Sequence, residues 1–258
     1  MDVPAELCKV HPPIRPYQTR TIRLHGANSA ADSPLVCELY PADILHSKFE
    51  GLGVHAPPGE ADYIAEYEAL SYTWGSPEAT ETITCNDVDF PITENLFRAL
   101  QALRPSRNTA RHLWVDAICI NQTDDNEKGE QVWHMLQIYQ KATRVIAWLG
   151  TAHEDLVPAV AAASLFSPVV PEDVAESRIV YRGMCDLYMR PWFQRIWIQQ
   201  EIFAARELKL QCGSTSFSWS PMLSEPHQLL RQPHLQPYLQ PKRLFWSKRS
   251  RPRIFQIM

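Results

Sequence analysis

One carboxylate stands in a stretch that otherwise has no place for charge. Leu113-Trp114-Val115-Asp116-Ala117-Ile118-Cys119-Ile120 is a nearly continuous apolar run, the pattern of a strand buried on both faces. An unpaired charge there would cost several kcal/mol, so Asp116 is paired, near a strand end, or turned to a polar cavity. Two roles fit: tying down the next turn or a backbone amide, or lining a ligand crevice at the carboxyl ends of the strands. A second such place is the end of Tyr67-Glu68-Ala69-Leu70-Ser71-Tyr72-Thr73-Trp74-Gly75, a strand that runs into the turn Ser76-Pro77. Tyr72 and Trp74 are either core aromatics or stand where a ligand would lie. A third is the pair Trp197 and Glu201, four apart on a predicted helix and so on one face. Glu201 fits equally as a surface partner of Arg195 or Arg206, or as a brace for Trp197.

The elements that would position these residues follow from the hydrophobic pattern. Asn121 to Asn126 is a polar turn, and Asp124 with Glu127 has the form of a helix-starting capping box. Val132, Met135, Leu136, Tyr139 and Ala142 then recur at helical steps over 127–142, and Arg144 to Leu149 is an apolar strand closed by Gly150. Strand, helix and strand make one βαβ unit, with a right-handed crossover and parallel strands. Short strands are predicted at 21–24 and 35–39, a loop over 41–60, and a hairpin over 82–90 around Asn86-Asp87. Thr93 or Glu94 starts a helix over 95–104 that buries Leu96, Ala99, Leu100 and Leu103. Further helices are predicted at 153–163 and 172–190, the latter with Met184, Leu187 and Tyr188 on its apolar face. Pro191 stands in the first turn of a helix with Ile198, Ile202 and Ala205 on one side, and 208–213 reads as a final strand. The sum is an α/β fold: a mainly parallel sheet with flanking helices, the Tyr67, Leu113 and Arg144 strands central, and a small antiparallel addition from 20–40 and 82–90.

Composition narrows the function classes. With 258 residues, 45% apolar and 21% charged, the chain supports a sizeable core. A net charge of −4 makes no case for nucleic acid or membrane as a partner. The six cysteines (8, 37, 85, 119, 185 and 212) have no CxxC or CxxH spacing, so neither a disulfide framework nor a zinc site is expected, and the interior is read as reducing. The N-terminus MDVPAELCKVHPP lacks the features of a signal peptide, and the tract 156–170 is broken by Pro158 and Pro168. A soluble, cytoplasmic protein is the expectation. No Gly-rich phosphate loop, GxSxG or HExxH occurs. Residues 1–14 read as an irregular N-terminus and 221–258 as a Pro/Gln-rich then basic tail, disordered or truncated. The six basic residues from Lys242 onwards, interleaved with Leu244, Phe245, Trp246 and Ile254, either touch RNA or an anionic membrane or are solvated.

Three blocks together resemble a known family. YEALSYTWG (67–75), LWVDAICINQTDDNEKGEQVWHMLQIYQKATRVIAWLG (113–150) and RPWFQRIWIQQE (190–201) look like the signature blocks of the fungal heterokaryon incompatibility (HET) domain, with RTIRL (20–24) and 83–104 as fitting flanks. The domain would span 15–220. The resemblance implies a role in fungal non-self recognition and the triggering of cell death, with an unknown protein partner of the incompatibility system. A more distant similarity is to Toll/interleukin-receptor (TIR) domains, which implies a flavodoxin-like fold. Enzymatic TIR domains carry a catalytic glutamate four residues after a tryptophan. That similarity assigns catalysis to Glu201, with Trp197 before it, although Ile198 stands where TIR domains have cysteine or a small residue. By the same similarity NAD is the substrate, with no cofactor and no metal. Tyr72 or Trp74 would stack on a ring, and Gly75, Asp116, Asn121 and Gln122 would line the site. The alternative is a non-enzymatic module that forms a homo-oligomer or binds partner proteins.

Overall fold

A computed structural model describes residues 10–27, 34–43, 66–151, 186–187, 189–196 and 198–219. Residues 44–60 of the predicted loop, most of the predicted helices at 153–163 and 172–190, Trp197 and the tail 221–258 lie outside the described residues, while Pro41 and Ala42, expected in that loop, are strand. The chain divides into two units, residues 1–146 with 200–206, and residues 147–199 with 207–258.

In the first unit, β1 (Thr19–His25) and β2 (Val36–Ala42) pair antiparallel. β3 is Glu68–Ser71. β4 (Ala79–Cys85) and β5 (Val88–Thr93) form the predicted hairpin, whose turn residues Asn86 and Asp87 have φ of 50° and 62°, as a type I′ turn demands. β6 is Ala110–Trp114 and β7 is Arg144–Trp148. Their order is β5-β4-β2-β1-β6-β3-β7.

That sheet is mixed, which corrects the expectation of a mainly parallel one. β3 runs parallel to β6, and β2 parallel to β4, but β1 is antiparallel to both its neighbours, β2 and β6. The reason is connection length. Ten residues separate β1 from β2, fewer than the roughly dozen or more that a crossover between parallel neighbours needs. Nor is the antiparallel part a small addition: β1 is wedged between β2 and β6, and its Thr19, Arg20, Thr21 and Ile22 are all buried. The order β6-β3-β7 does place the Tyr67 strand between the Leu113 and Arg144 strands, as a doubly wound sheet would.

Helix α1 (Glu94–Leu103) matches expectation. Thr93 caps it by accepting from the Leu96 N–H at 3.4 Å, and Leu96, Ala99, Leu100 and Leu103 are buried. The apolar run 113–120, in contrast, is not one strand. β6 stops at Trp114, Val115 is extended, and Asp116–Cys119 is a single helical turn, α2. Ile118, Cys119 and Ile120 are buried, so the run encodes burial rather than strand, and periodicity cannot separate these in so short a segment.

α3 (Asp125–Lys141) begins at the predicted cap: Asp124 accepts from the Asn126 and Glu127 N–H groups at 3.0 and 3.1 Å. Its buried side is the predicted one only in part: Tyr139 and Ala142 are buried as expected. Gln131, Ile138 and Tyr139 are buried, whereas Val132 and Leu136 are 44% and 38% exposed. Polar residues with specific partners took the inner face. Gln131 donates to the Gln18 carbonyl at 2.8 Å, and Tyr139 meets Trp114 edge-on with ring centroids 5.6 Å apart.

The second unit contains the end of β7, a 3₁₀ turn at Pro191–Gln194, and the antiparallel pair β8 (Leu208–Cys212) and β9 (Thr215–Ser218). β9 was not anticipated; the predicted final strand is followed by another. The Leu149 N–H donates to Gln211 O at 2.8 Å and Gly213 N–H to Gly150 O at 2.9 Å. Arg190 is buried, donating to the Leu149 and Thr151 carbonyls and to Asp186. The single helix expected after Pro191 is two pieces, the 3₁₀ turn and α4 (Ile198–Ala204), with the unit boundary inside α4.

Candidate functional site

The candidate residues gather at the ends of β3 and β6, where the backbone leaves the sheet. β3 ends at Ser71, which is buried, and its hydroxyl donates to the carboxylate of Glu201 on α4. Glu201 is 1% exposed, so it is not a surface glutamate. A carboxylate taken this far from water is retained only where polar groups are turned towards it, and Ser71 is one of them.

Past Ser71 the chain is irregular. Tyr72 is buried, so of the two aromatics at this strand end it is Trp74, 43% exposed, that offers surface to a ligand. Asn95 donates to the Thr73 carbonyl, and Gly75 follows with φ +75°. An added Cβ there would lie 3.6 Å from the Asn95 Cβ, so space is adequate and the constraint on Gly75 is the left-handed backbone itself. Three residues of chain cannot separate their Cα atoms by more than about 11 Å. The Trp74 Cα therefore lies within about 11 Å of the Ser71 Cα.

Trp74 reaches the β6 end. Its indole Nε1–H donates to Asp116 Oδ2 at 2.9 Å, while Asp116 Oδ1 accepts from the Ala117 N–H at 2.7 Å. Asp116 thus fulfils the local role, securing an amide in the first turn of α2, and also meets a second candidate residue. Gln122 Nε2 donates to the Asp116 carbonyl at 2.9 Å. Asn121 turns inward on its own loop, its Oδ1 accepting from Thr123 Oγ1 at 2.7 Å and its N–H donating to Glu127 at 2.8 Å.

Glu127 introduces a residue that sequence reasoning missed. Arg20 from β1, its side chain 2% exposed, grips Glu127 with two parallel bonds of 2.6 and 3.0 Å, and also donates to the Pro12 and Cys119 carbonyls at 2.7 and 3.1 Å. Burial alone would raise the Glu127 carboxyl, but the Arg20 guanidinium and the Asn121 amide outweigh it and hold it below its ordinary value. The Arg20–Glu127 pair therefore fixes the 120–124 connection on which Asn121 and Gln122 stand. The one available signal for it was the first of the two arginines in the short RTIRL strand. Ser71 was also missed; within YEALSYTWG it was the small polar residue at the strand end.

A family model described as heterokaryon incompatibility protein (HET) matches residues 67–201, which is 135 of the 258 residues. The chain belongs to the heterokaryon incompatibility family. The match opens at Tyr67 and closes at Glu201, both buried, so it spans both residues whose side chains frame the strand end. β1, which supplies Arg20, lies outside it. Among curated proteins the chain is similar to "Heterokaryon incompatibility protein 6, OR allele" of Neurospora crassa, at 34% identity over 148 residues. Those residues are 53% of this chain and 19% of that relative, so the chain matches about a fifth of its length. No solved structure matches the chain.

No described helix is long and apolar enough to cross a membrane, and among the described residues no three His, Cys, Asp or Glu side chains are grouped to hold a metal ion. The four described cysteines, Cys37, Cys85, Cys119 and Cys212, are free and buried. Burial pushes the Cys212 thiol up to about 11, far from the thiolate form that does chemistry.

Proposed function

We propose that this chain acts in fungal heterokaryon incompatibility, as its family and its Neurospora crassa relative are named, and that it triggers cell death in the cytoplasm by cleaving the nicotinamide–ribose bond of NAD. The observation that carries the chemical part is the buried Glu201 carboxylate, held by the Ser71 hydroxyl at the end of β3. Breaking the glycosidic bond leaves positive charge on the ribose, an oxocarbenium-like state. A carboxylate fixed in a dry setting stabilises that charge without reorganising. Nicotinamide departs with the bonding electrons, water adds to the ribose carbon, and ADP-ribose and a proton are released. Exposed Trp74, steered by Asp116, supplies a surface on which a ring can stack. The TIR likeness of the Trp197–Glu201 spacing supports the same assignment. The reaction requires no metal, and NAD enters as substrate rather than cofactor.

The test is nicotinamide release from NAD by the purified protein beside Glu201→Gln, which keeps size and removes charge. Loss of the carboxylate should lower the rate by about 10²-fold or more. Release that persists unchanged in Glu201→Gln refutes the role given to Glu201. No release by the wild type at any concentration favours the non-enzymatic interaction module.

A further inference from the structure

We propose that the outer face of α3 is a docking surface for a second copy of this chain, the two α3 helices lying antiparallel. This inference is independent of any chemistry at Glu201. Trp133 is 80% exposed, and Val132 and Leu136 are 44% and 38% exposed. With Gly129 they recur at three- and four-residue steps, so they form one stripe. It faces away from the buried Gln131 and Ile138, and buried Tyr139, seven residues after Val132, borders it. A helix apolar on the side away from its own core has a surface that water does not favour and that a partner can cover.

Gly129 supplies the independent observation. It sits inside α3 with no positive φ, and a Cβ built on it meets nothing within 4 Å. Nothing described in the single chain requires a glycine there, although glycine weakens a helix interior relative to alanine. Its effect is a flat spot on the exposed stripe, four residues before Trp133 and seven before Leu136. An antiparallel copy that sets Leu136 over the other's Gly129 also crosses Val132 with Trp133 and brings Gln140 opposite Asp125. Each helix's knob then meets the other's hollow, which is the self-complementarity a two-fold interface requires. Charge agrees with that direction. The first turn of α3 carries Asp125 and the last carries Lys141, so antiparallel pairing brings opposite charges and opposite helix dipoles together; Glu127 is already engaged by Arg20. The contact is modest: 17 residues make a helix about 25 Å long, which cannot by itself cover the roughly 800 Å² per partner of a standard interface. Association is therefore concentration-dependent.

Sedimentation over a wide concentration range tests this on the full chain, with two variants that should both fold. Trp133→Glu alters a residue already in water and should weaken the dimer about tenfold or more. Gly129→Lys fills the hollow while removing the helix-weakening glycine, so the dimer should weaken although Tm rises. The two are not equivalent: a general loss of structure would lower both readings, whereas this interface predicts that they move in opposite directions. As a third arm, Trp133→Cys lies beside the two-fold axis, and mild air oxidation with copper should join two chains by a disulfide that the wild type does not form. A wild type monomeric at every concentration, or a dimer indifferent to both substitutions, overturns the proposal. A monomer whose Tm falls on Trp133→Glu means the face is covered within the chain, and overturns it too.

Discussion

Glu127→Gln is the substitution that most directly tests how the site loop is held. The Arg20 side chain is 2% exposed and makes four hydrogen bonds, two of them to Glu127 at 2.6 and 3.0 Å. Glutamine keeps the shape and can still accept from the Asn121 amide, but it leaves the guanidinium buried without a counter-charge. Breaking such a pair from one side costs about 3–5 kcal/mol, and the retained bond puts this case near the lower limit, about 3 kcal/mol. For a domain of this size that corresponds to a Tm lower by about 6–12 °C. The measurement is urea unfolding at neutral pH followed by far-UV circular dichroism, repeated for Arg20→Met and for the double variant. Because the double variant no longer buries a lone charge, its loss should fall short of the sum of the single losses by more than about 1 kcal/mol. Acid should show the same linkage. The Glu127 carboxyl in the folded chain lies below its ordinary value of 4.5, so its contribution is complete above that pH and disappears as pH falls through the lower, folded value. Glu127→Gln should lack this part of the acid loss. A Glu127→Gln protein within about 0.5 kcal/mol of the wild type, the range of an ordinary surface change, would refute the reasoning.

Two further substitutions probe the framework. Thr93→Ala removes the oxygen that accepts from the Leu96 N–H, and thermal unfolding should show a loss of about 1 kcal/mol. Gly75→Ala has room for its methyl but not the backbone, since φ is +75°. It should cost about 1 kcal/mol or more in denaturant unfolding and disturb the Trp74–Asp116 bond, visible as a change in tryptophan fluorescence.

Local signals in the sequence were legible wherever one residue decides the outcome. Thr93 and Asp124 each mark a helix start because a side-chain oxygen there satisfies backbone donors, and Asn86-Asp87 marks a hairpin because that turn needs two positive φ angles. Long-range choices were not legible. Nothing in RTIRL says that β1 inserts between β2 and β6, because strand partners far apart in sequence are chosen by the fit of whole surfaces. The α3 face was misread for a related reason: Gln131 and Glu127 found partners in Gln18 and Arg20, and satisfied polar groups displaced Val132 and Leu136 from the interior. Asp116 lay between these cases. Its need for a partner was evident, but the identity of that partner, Trp74, depends on two strand ends that meet only after folding. Trp197, half of the tryptophan–glutamate spacing, falls outside the described residues.

The insertion of β1 between β2 and β6 also sets a timetable. His25 pairs with Ala110, which is synthesised 110 − 25 = 85 residues later. At about 5–20 residues per second a ribosome needs about 4–17 s to supply it. Throughout that interval one edge of β1 can be closed by β2, which begins 11 residues after His25, while the other has no partner and presents open N–H and C=O groups. Arg20 waits longer still for Glu127. The first of the described strands is thus among the last of them to be flanked on both sides, and the nascent chain carries an unsatisfied edge for seconds.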